Sequence, residues 1–161
     1  MPLVSFSVFK EKIENGSKKQ TIRKLRKYPI KKYDLLYMWW KSRTPQRERL
    51  GFSTCTEEFL IKMSIINNGY SVYLRVWPVG SVEELSQEQY EELAKQDGFS
   101  CLKEMTEWFY KTHGEMEQEC FQVIRWDKLV KNHQFTQTVI LDIVKEGGIH
   151  FISNQSESKQ A

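Results

Sequence analysis

The sequence predicts an α+β fold in which a small antiparallel or mixed β-barrel carries helices on its outside. Short strand-like segments lie on both sides of a helical stretch, and an Asn-Gly step joins two of these segments as a hairpin does. The chain has 161 residues, of which 40% are apolar and 13% aromatic, so a single domain with a substantial core is expected.

The first predicted elements are a strand, a helical turn and a second strand. Residues 3–8 alternate as a short strand does, and Phe9 and Ile13 have the spacing of one helical turn. Asn15-Gly16 ends that turn, and residues 20–23 have the character of a strand. Two parts of a barrel wall are therefore expected close to the N-terminus.

Three strands and a basic loop are predicted next. Residues 33–40 are apolar at nearly every position, which indicates a strand covered on both faces. Residues 41–49 are basic and contain a proline, so we expect a loop there. Residues 58–66 and 70–77 are strand-like, and Asn67-Asn68-Gly69 between them predicts a hairpin.

Two helices follow. Residues 81–84 and 86–89 both match the capping-box pattern, in which Ser81 or Ser86 accepts a hydrogen bond from a free backbone N–H at the start of a helix. The second helix is predicted over residues 100–112, and Gly114 ends it. The predicted buried side of this helix consists of Leu102, Met105 or Thr106, and Phe109.

Residues 120–126 form the predicted closing strand, with Phe121 and Val123 on one face and Ile124 and Trp126 on the other. The segment after Trp126 fits a helix or a hairpin, and its β-branched residues favour strands. We therefore predict a single domain over residues 1–152, with a core over 3–126 and a C-terminal extension over 127–152. The polar residues 153–161 are expected to be disordered.

Composition limits the function classes. No apolar run approaches the roughly 20 residues that cross a bilayer, and the N-terminus lacks the pattern of a secretory signal. A cytoplasmic protein with no membrane partner is therefore expected. The three cysteines have no CxxC spacing and the three histidines are scattered, so neither a cofactor nor a metal site is predicted.

Charge is distributed unevenly along the chain. The segment from Lys10 to Arg49 holds 14 Lys and Arg against 4 Asp and Glu, whereas the segment from Leu50 to Ala161 holds 10 against 17. The net charge of +3 therefore combines a basic segment with an acidic one. A basic surface of this kind suits a polyanion such as nucleic acid better than a neutral metabolite.

The most informative segment, residues 16–23 (GSKKQTIR), is a basic turn followed by a strand. Alternation places Lys19, Thr21 and Arg23 on one face of that strand. One interpretation is a solvated basic edge strand. The other is a binding or nucleophile site, in which Arg23 contacts a phosphate or carboxylate, Thr21 donates or attacks, and Lys18 acts as a base if burial lowers its pKa.

Two further features bear on such a site. Asp97 lies in the turn before the second helix, where it is either a helix cap or, if the fold brings it to the basic strand, an acid of the site. Tyr73, Arg75 and Trp77 share one face of a predicted strand, which is an arrangement that holds single-stranded nucleic acid when the rings are exposed. The alternative is that these rings belong to the barrel core.

Three motifs occur in a characteristic order. They are Gly16-x-Lys18-x-x-Thr21-x-Arg23, Asp97-Gly98-Phe99-Ser100 with the helix that follows it, and the strand FQVIRW at residues 121–126. In this order and spacing the chain resembles the ASCH family, a branch of the PUA-like β-barrel proteins associated with RNA. The resemblance spans roughly residues 3–126.

The resemblance implies a PUA-like barrel with an RNA-binding cleft between the signature strand and the helices. It also implies enzymatic alternatives, since the family includes an amidohydrolase that deacetylates acetylated cytidine and a reported ribonuclease. In the amidohydrolase a Lys, a Thr and a Glu act. Lys18, Thr21 and Asp97 stand at the matching positions, and Asp97 is one methylene shorter than the usual Glu.

The leading hypothesis from the sequence is a domain that binds single-stranded RNA or a modified nucleoside. An amidohydrolase acting through Lys18, Thr21 and Asp97 is the alternative, a metal-independent ribonuclease is a weaker variant, and an acidic module that docks a basic partner is ranked last. Nucleic-acid contacts are predicted at Lys19, Arg23, Lys24, Arg26, Lys41, Arg43, Arg47, Arg49, Tyr73 and Arg75.

Overall fold

The computed structural model describes residues 2–66, 69–75 and 82–131, with the side chains of 69–75 and 82–84 outside that description. The described elements belong to one compact unit that ends at Lys131. Most of the predicted extension over 127–152, and all of the predicted tail over 153–161, lie outside the described residues. In chain order the elements are β1 (Leu3–Phe6), α1 (Lys10–Glu14), β2 (Gln20–Lys24), β3 (Leu35–Trp40), β4 (Glu48–Ile66), β5 (Gly69–Arg75), β6 (Val82–Glu84), α2 (Gln87–Gln96), α3 (Leu102–His113) and β7 (Met116–Trp126).

The long strand β4 organises the sheet. Its N-terminal part pairs antiparallel with β3, and its C-terminal part pairs antiparallel with β5 on one edge and with β7 on the other. One strand serves both parts because it has 19 residues and its register shifts between Cys55 and Glu57, where an irregularity bends the ladder. β7 pairs with β2, and β1 runs parallel to β3, so the sheet is mixed and the α+β prediction is confirmed.

The predicted barrel is not closed among the described residues. Of the described strands, β1 is hydrogen-bonded only to β3, and β2 only to β7. The guanidinium groups of Arg23 and Arg26 instead donate to the backbone carbonyl oxygens of Ser5 and Leu3. The barrel prediction is therefore wrong at the seam between β1 and β2, because arginine side chains use the β1 acceptors that a backbone ladder would need.

Two apolar clusters lie on opposite faces of β7, as its alternation predicts. Phe121 and Val123 belong to a cluster that β4, α2 and α3 also build, whereas Ile124 and Trp126 belong to a cluster with β1, α1 and β3. All four side chains are buried, and each contributes on the order of 2 kcal/mol through removal of apolar surface from water. The closing strand thus joins both cores to one ladder.

The helices agree with the capping pattern at one of its two candidate positions. Ser86 begins α2, where its side chain accepts from the Gln89 backbone N–H and the Gln89 side chain accepts from the Ser86 N–H. The Ser81 alternative is wrong, since Val82–Glu84 is strand β6 and pairs with β5.

The buried side of α3 agrees with the prediction. Its buried residues are the four that the sequence analysis named, Leu102, Met105, Thr106 and Phe109. None of the helices described is both long and apolar enough to span a membrane.

The strand boundaries also differ from the prediction in two places. β4 begins at Glu48, ten residues before the predicted start, so the basic loop ends at Arg47 and Arg49 lies in the strand. In β3, burial alternates along the strand, with Leu36 and Met38 fully buried and their neighbours half-buried. The prediction that both faces of this strand are buried is therefore wrong, because only one face of β3 is fully buried. The hairpin at Asn67-Asn68-Gly69 is confirmed by the register that places Ile66 opposite Gly69.

We expect Gly51→Ala to lower the free energy of unfolding by about 3 kcal/mol, as judged by urea unfolding. Gly51 has φ +148, and a Cβ on it would lie 2.4 Å from the backbone oxygen of Val130, which pairs with Phe52. The control is Gly16→Ala, because Gly16 also has positive φ (+79) but no atom within 4 Å of its Cβ position. The control should lose about 1 kcal/mol. Equal losses would contradict a clash at Gly51.

Candidate functional site

A cavity of about 330 Å³ opens at the seam between β1 and β2. The end of β1 and the residues after it form one wall, β2 with the preceding turn forms a second, and the segment from Asp97 to α3 forms the third. The lining residues are Ser5, Phe6, Ser7, Val8, Lys18, Thr21, Ile22, Arg23, Lys24, Arg26, Asp97, Phe99, Trp108, Thr112 and His113. The cavity therefore joins the signature segment of the sequence to the acid-turn-helix element.

A buried ion pair connects two walls of the cavity. The Lys18 Nζ lies 3.0 Å from the Asp97 Oδ2 and also donates to the Asp97 backbone oxygen. Lys18 is 2% exposed and Asp97 is 6% exposed. Asp97 is the C-terminal cap residue of α2, so its backbone ends one helix while its side chain faces Lys18. Asp97 does not cap α3, whose N-cap residue is Cys101.

The turn around Gly98 allows the lysine to approach. Gly98 has φ +98, and a Cβ there would lie 3.1 Å from the Lys18 Cδ and 3.1 Å from the Phe9 ring. The Lys18 Nζ is 5.4 Å from the centroid of that same ring. The backbone N–H of Lys18 donates to the Lys12 oxygen, which holds the turn after α1 against the ion pair. A glycine after the acid thus makes room for the buried lysine stem.

Burial moves the pKa values of the two partners toward each other. Desolvation raises the pKa of Asp97 to about 6, while the Lys18 ammonium and the nearby backbone N–H of Ile22 oppose that change. Desolvation also lowers the pKa of Lys18, against the attraction of Asp97. A buried acid and base with pKa values displaced in this way are more typical of a functional site than of a surface ion pair.

Arg23 lines the cavity and joins β2 to β1. Its guanidinium lies 5.0 Å from the centroid of the Phe6 ring, in addition to its hydrogen bond with Ser5. Burial, then the charge of Arg26, lowers the pKa of Arg23 to about 10, a value at which it stays protonated at neutral pH. Among the side chains described, two buried polar atoms lack a hydrogen-bond partner, the Arg23 Nε and the Asp97 Oδ1. Both belong to residues that line the cavity.

The structure brings together six of the residues that the sequence singled out. Thr21 is 5% exposed and lines the cavity with Lys18, Arg23 and Asp97, and Lys24 and Arg26 are exposed residues of the same lining. Lys24 also pairs with Glu119, with 3.2 Å between the Lys24 Nζ and the carboxylate. Lys18 and Asp97, which are 79 positions apart, therefore meet beside Thr21.

The other predicted contacts lie apart from the cavity lining. Lys19 is exposed and is not among the lining residues. The exposed Arg43, Arg47 and Arg49 and the half-buried Lys41 lie in or beside the loop between β3 and β4. Tyr73 and Arg75 lie on β5, their side chains are outside the description, and Trp77 is outside the described residues altogether.

The basic loop nevertheless begins next to the cavity. The Lys41 backbone N–H donates to the Phe6 oxygen, and the Ser42 N–H donates to the Ser5 Oγ. Arg49 places its guanidinium 4.3 Å from the Phe52 ring centroid. Among the side chains of residues 2–66 and 85–131, no three His, Cys, Asp or Glu are grouped as a metal site needs.

Sequence reasoning missed the aromatic part of the lining. Phe6, Trp108 and His113 come from β1 and α3, and nothing in their local patterns indicates a shared cavity. His113 lies in the last turn of α3, one residue beyond the predicted end of that helix, and burial followed by the charge of Lys24 lowers its pKa. Trp108 directly precedes the buried Phe109 in the sequence, but only the tertiary fold shows that it lines the cavity.

Arg125 was also missed, and its guanidinium bonds three elements around the cavity to one another. Its Nε donates to the Gln20 Oε1 at 3.0 Å, its Nη2 to the Gln96 Oε1 at 2.7 Å, and its Nη1 to the Glu57 carboxylate at 2.7 Å. Gln20 in turn donates to the Leu93 oxygen of α2. Gln20 directly precedes Thr21 on β2, and Gln96 directly precedes Asp97 at the end of α2. The Arg125 hydrogen bonds therefore set the distance between β2 and the end of α2.

The raised pKa of Asp97 predicts a fall in stability between about pH 4 and pH 6. The folded state binds the Asp97 proton more tightly than the unfolded chain does, and this stabilises the folded state at low pH. The stabilisation is complete below the unfolded pKa and is lost as pH rises through about 6. The change from 3.8 to about 6 corresponds to about 3 kcal/mol. We expect Asp97→Asn to abolish this fall in urea unfolding measured across the pH range.

The control for this experiment is Asp127→Asn, which replaces an exposed carboxylate. This variant should keep the pH dependence of the wild-type chain. A fall in stability of the same size in Asp97→Asn would show that another group is responsible.

Comparison of the chain with protein-family models, with curated proteins and with solved structures finds no match. The resemblance to the ASCH family therefore rests on its three sequence motifs and stays a prediction. The chemistry of the cavity at the β1–β2 seam is the basis for assigning a function.

Proposed function

We propose that the chain is an RNA-associated domain of the ASCH type, and that its cavity binds one nucleoside or nucleotide of single-stranded RNA. The observation that carries this proposal is the convergence of Lys18, Thr21, Arg23 and Asp97 on one cavity. Concave sites with a few converging polar groups and displaced pKa values are where ligands usually bind. The PUA-like character of the fold is part of the same proposal.

The size of the cavity favours a small ligand group. About 330 Å³ is near the lower end of the range for small-molecule sites, roughly 300–1,000 Å³. A single nucleoside is of this scale, whereas a polynucleotide has to lie mostly along the surface. Lys24 and Arg26 are exposed at the cavity, and exposed cations of this kind suit phosphates on either side of an inserted nucleoside.

The lining groups complement a polar ring. The Arg23 Nε is a donor and the Asp97 Oδ1 is an acceptor, and among the described side chains both are buried atoms without a hydrogen-bond partner. Phe99 and Trp108, whose ring centroids are 5.9 Å apart, supply apolar surface in the same lining. A base edge offers both acceptors and donors, and its faces suit an aromatic wall. A ligand of this class suits a lining that combines charged and hydroxyl side chains with aromatic rings better than an alkyl chain does.

We expect the affinity for an oligouridine RNA of about 12 nucleotides to fall steeply with salt, since each phosphate contact contributes a slope of about −0.7 in log K against log[salt]. Fluorescence anisotropy of the labelled RNA measures this. Arg43→Glu with Arg47→Glu should weaken binding at low salt. The control is Lys103→Glu, which reverses an 83%-exposed charge near the start of α3 and should change affinity little.

A cavity variant tests the inserted nucleoside. Ser7 is exposed and lines the cavity, so Ser7→Trp should fill the opening with little cost in stability. We expect this variant to lose binding of the nucleoside uridine and to weaken RNA binding about tenfold. RNA affinity independent of both salt and Ser7→Trp would contradict the proposal.

An amidohydrolase acting on acetylated cytidine is a second candidate, favoured by the buried Lys18 whose pKa is lowered beside Thr21. Neutral Lys18 would take the Thr21 proton while the Thr21 Oγ bonds to the amide carbon. The C–N bond then breaks, the amine leaves with a proton, and water hydrolyses the acyl-threonine to acetate. Asp97 would hold Lys18 in place through the 3.0 Å contact.

We expect Thr21→Ala to abolish any deacetylation of acetylated cytidine, with a loss of at least about a hundredfold, because the nucleophile is removed. Product is followed by chromatography. Thr21→Ser should keep part of the rate, and the control Thr112→Ala, which alters another threonine of the same lining, should keep most of it. Absence of product with the wild-type chain would reject this candidate and leave the binding proposal in place.

A further inference from the structure

The loop between β2 and β3, residues 25–34, displays aromatic rings and cations that do not line the cavity, apart from Arg26. Tyr28 is 78% exposed and Tyr33 is 56% exposed, the two largest values among the exposed large hydrophobic residues described. A lysine ammonium lies over each ring, Lys27 at 5.6 Å from the Tyr28 centroid and Lys32 at 5.1 Å from the Tyr33 centroid. Burial in a core therefore does not account for these rings.

The loop is held firmly although its rings are exposed. Ile30 is 1% exposed, and the Gln122 side-chain amide bonds both its backbone N–H and its backbone oxygen, at 3.1 and 2.5 Å. The Tyr33 backbone N–H donates to the Cys55 oxygen at 2.7 Å. Tyr33 has φ +73, a backbone conformation that is costly for an aromatic residue and persists only where the surroundings impose it. The rings are thus presented from fixed positions.

Charge identifies the kind of partner. The loop over residues 25–34 holds four Lys and Arg against one acid, Asp34, whose carboxylate accepts a hydrogen bond from the backbone N–H of Lys31. Within the described part of the chain, Lys27, Lys31 and Lys32 form no ion pair with a carboxylate. Exposed rings alternating with unpaired cations match the repeating bases and phosphates of a single strand. A protein partner would need a dense set of acids to match the same cations.

We propose that residues 25–34 form a stacking platform for single-stranded RNA, with bases on Tyr28 and Tyr33 and phosphates at Lys27, Lys31 and Lys32. This inference rests on the proposed function, and it extends the RNA path beyond the cavity. The path is continuous along the chain, since Lys24 and Arg26 line the cavity and Arg26 directly precedes Lys27. An RNA whose one nucleoside enters the cavity therefore meets the platform next.

The platform is tested by anisotropy with the same labelled oligouridine. We expect Tyr28→Ala and Tyr33→Ala each to weaken binding about tenfold. Tyr28→Phe and Tyr33→Phe should bind as the wild-type chain does, because stacking needs the ring and not the hydroxyl. Tyr110→Ala is the matched control, as Tyr110 is 45% exposed on α3. Replacing Lys27, Lys31 and Lys32 by Gln should reduce the salt slope by about 2.

Ser7→Trp separates this inference from the proposed function. Loss of oligouridine affinity in the tyrosine variants, with uridine binding unchanged, supports the platform. If Tyr28→Ala and Tyr33→Ala both leave the oligouridine affinity unchanged, the platform is overturned. The effect of Ser7→Trp on binding then decides the cavity proposal by itself. Sensitivity to the tyrosine variants but not to Ser7→Trp supports the platform and rejects the cavity. Absence of oligouridine binding by the wild-type chain overturns both.

Discussion

The buried contact between Lys18 and Asp97 is the interaction on which the site depends. It joins the turn after α1 to the end of α2 across 79 positions of sequence, at 3.0 Å and almost without exposure to solvent. Removing one partner of such a pair leaves an unpaired buried charge, which typically costs about 3–5 kcal/mol. Burial raises the pKa of Asp97 and lowers the pKa of Lys18, so the charged pair adds no net stability, but the cavity keeps its geometry only while both members are present.

Around this pair the fold leaves one seam of the sheet open. Arg23 and Arg26 bond the carbonyl oxygens of β1 through their side chains, where a closed barrel would place a backbone ladder. A backbone ladder would bring β1 and β2 to about 4.8 Å from each other. Guanidinium groups span a wider gap, and the cavity lies at that gap. Among the described strands, the open seam and the cavity therefore lie at the same place.

Two side chains of β7, Arg125 and Gln122, form hydrogen bonds with several elements around the seam. Arg125 joins Gln20, Gln96 and Glu57, and so ties β2, α2 and β4 together. Gln122 bonds Ile30 on both backbone groups and holds the loop after β2 against β7. Both residues lie on β7, the strand that separates the two apolar cores. One strand therefore positions the cavity wall and the loop that displays Tyr28 and Tyr33.

The sequence by itself determined the α+β class, the hairpin at Asn67-Asn68-Gly69, the Ser86 cap and the alternation of β7, because each depends on local backbone preference or on the two-residue period of a strand. It also singled out Lys18, Thr21, Arg23 and Asp97 by motif. Only the tertiary structure decided that Asp97 meets Lys18, that the described sheet stays open beside β1, and that Trp108 lines the cavity while Arg125 bonds elements around it. These are contacts between distant segments, and no local pattern encodes which surfaces face each other.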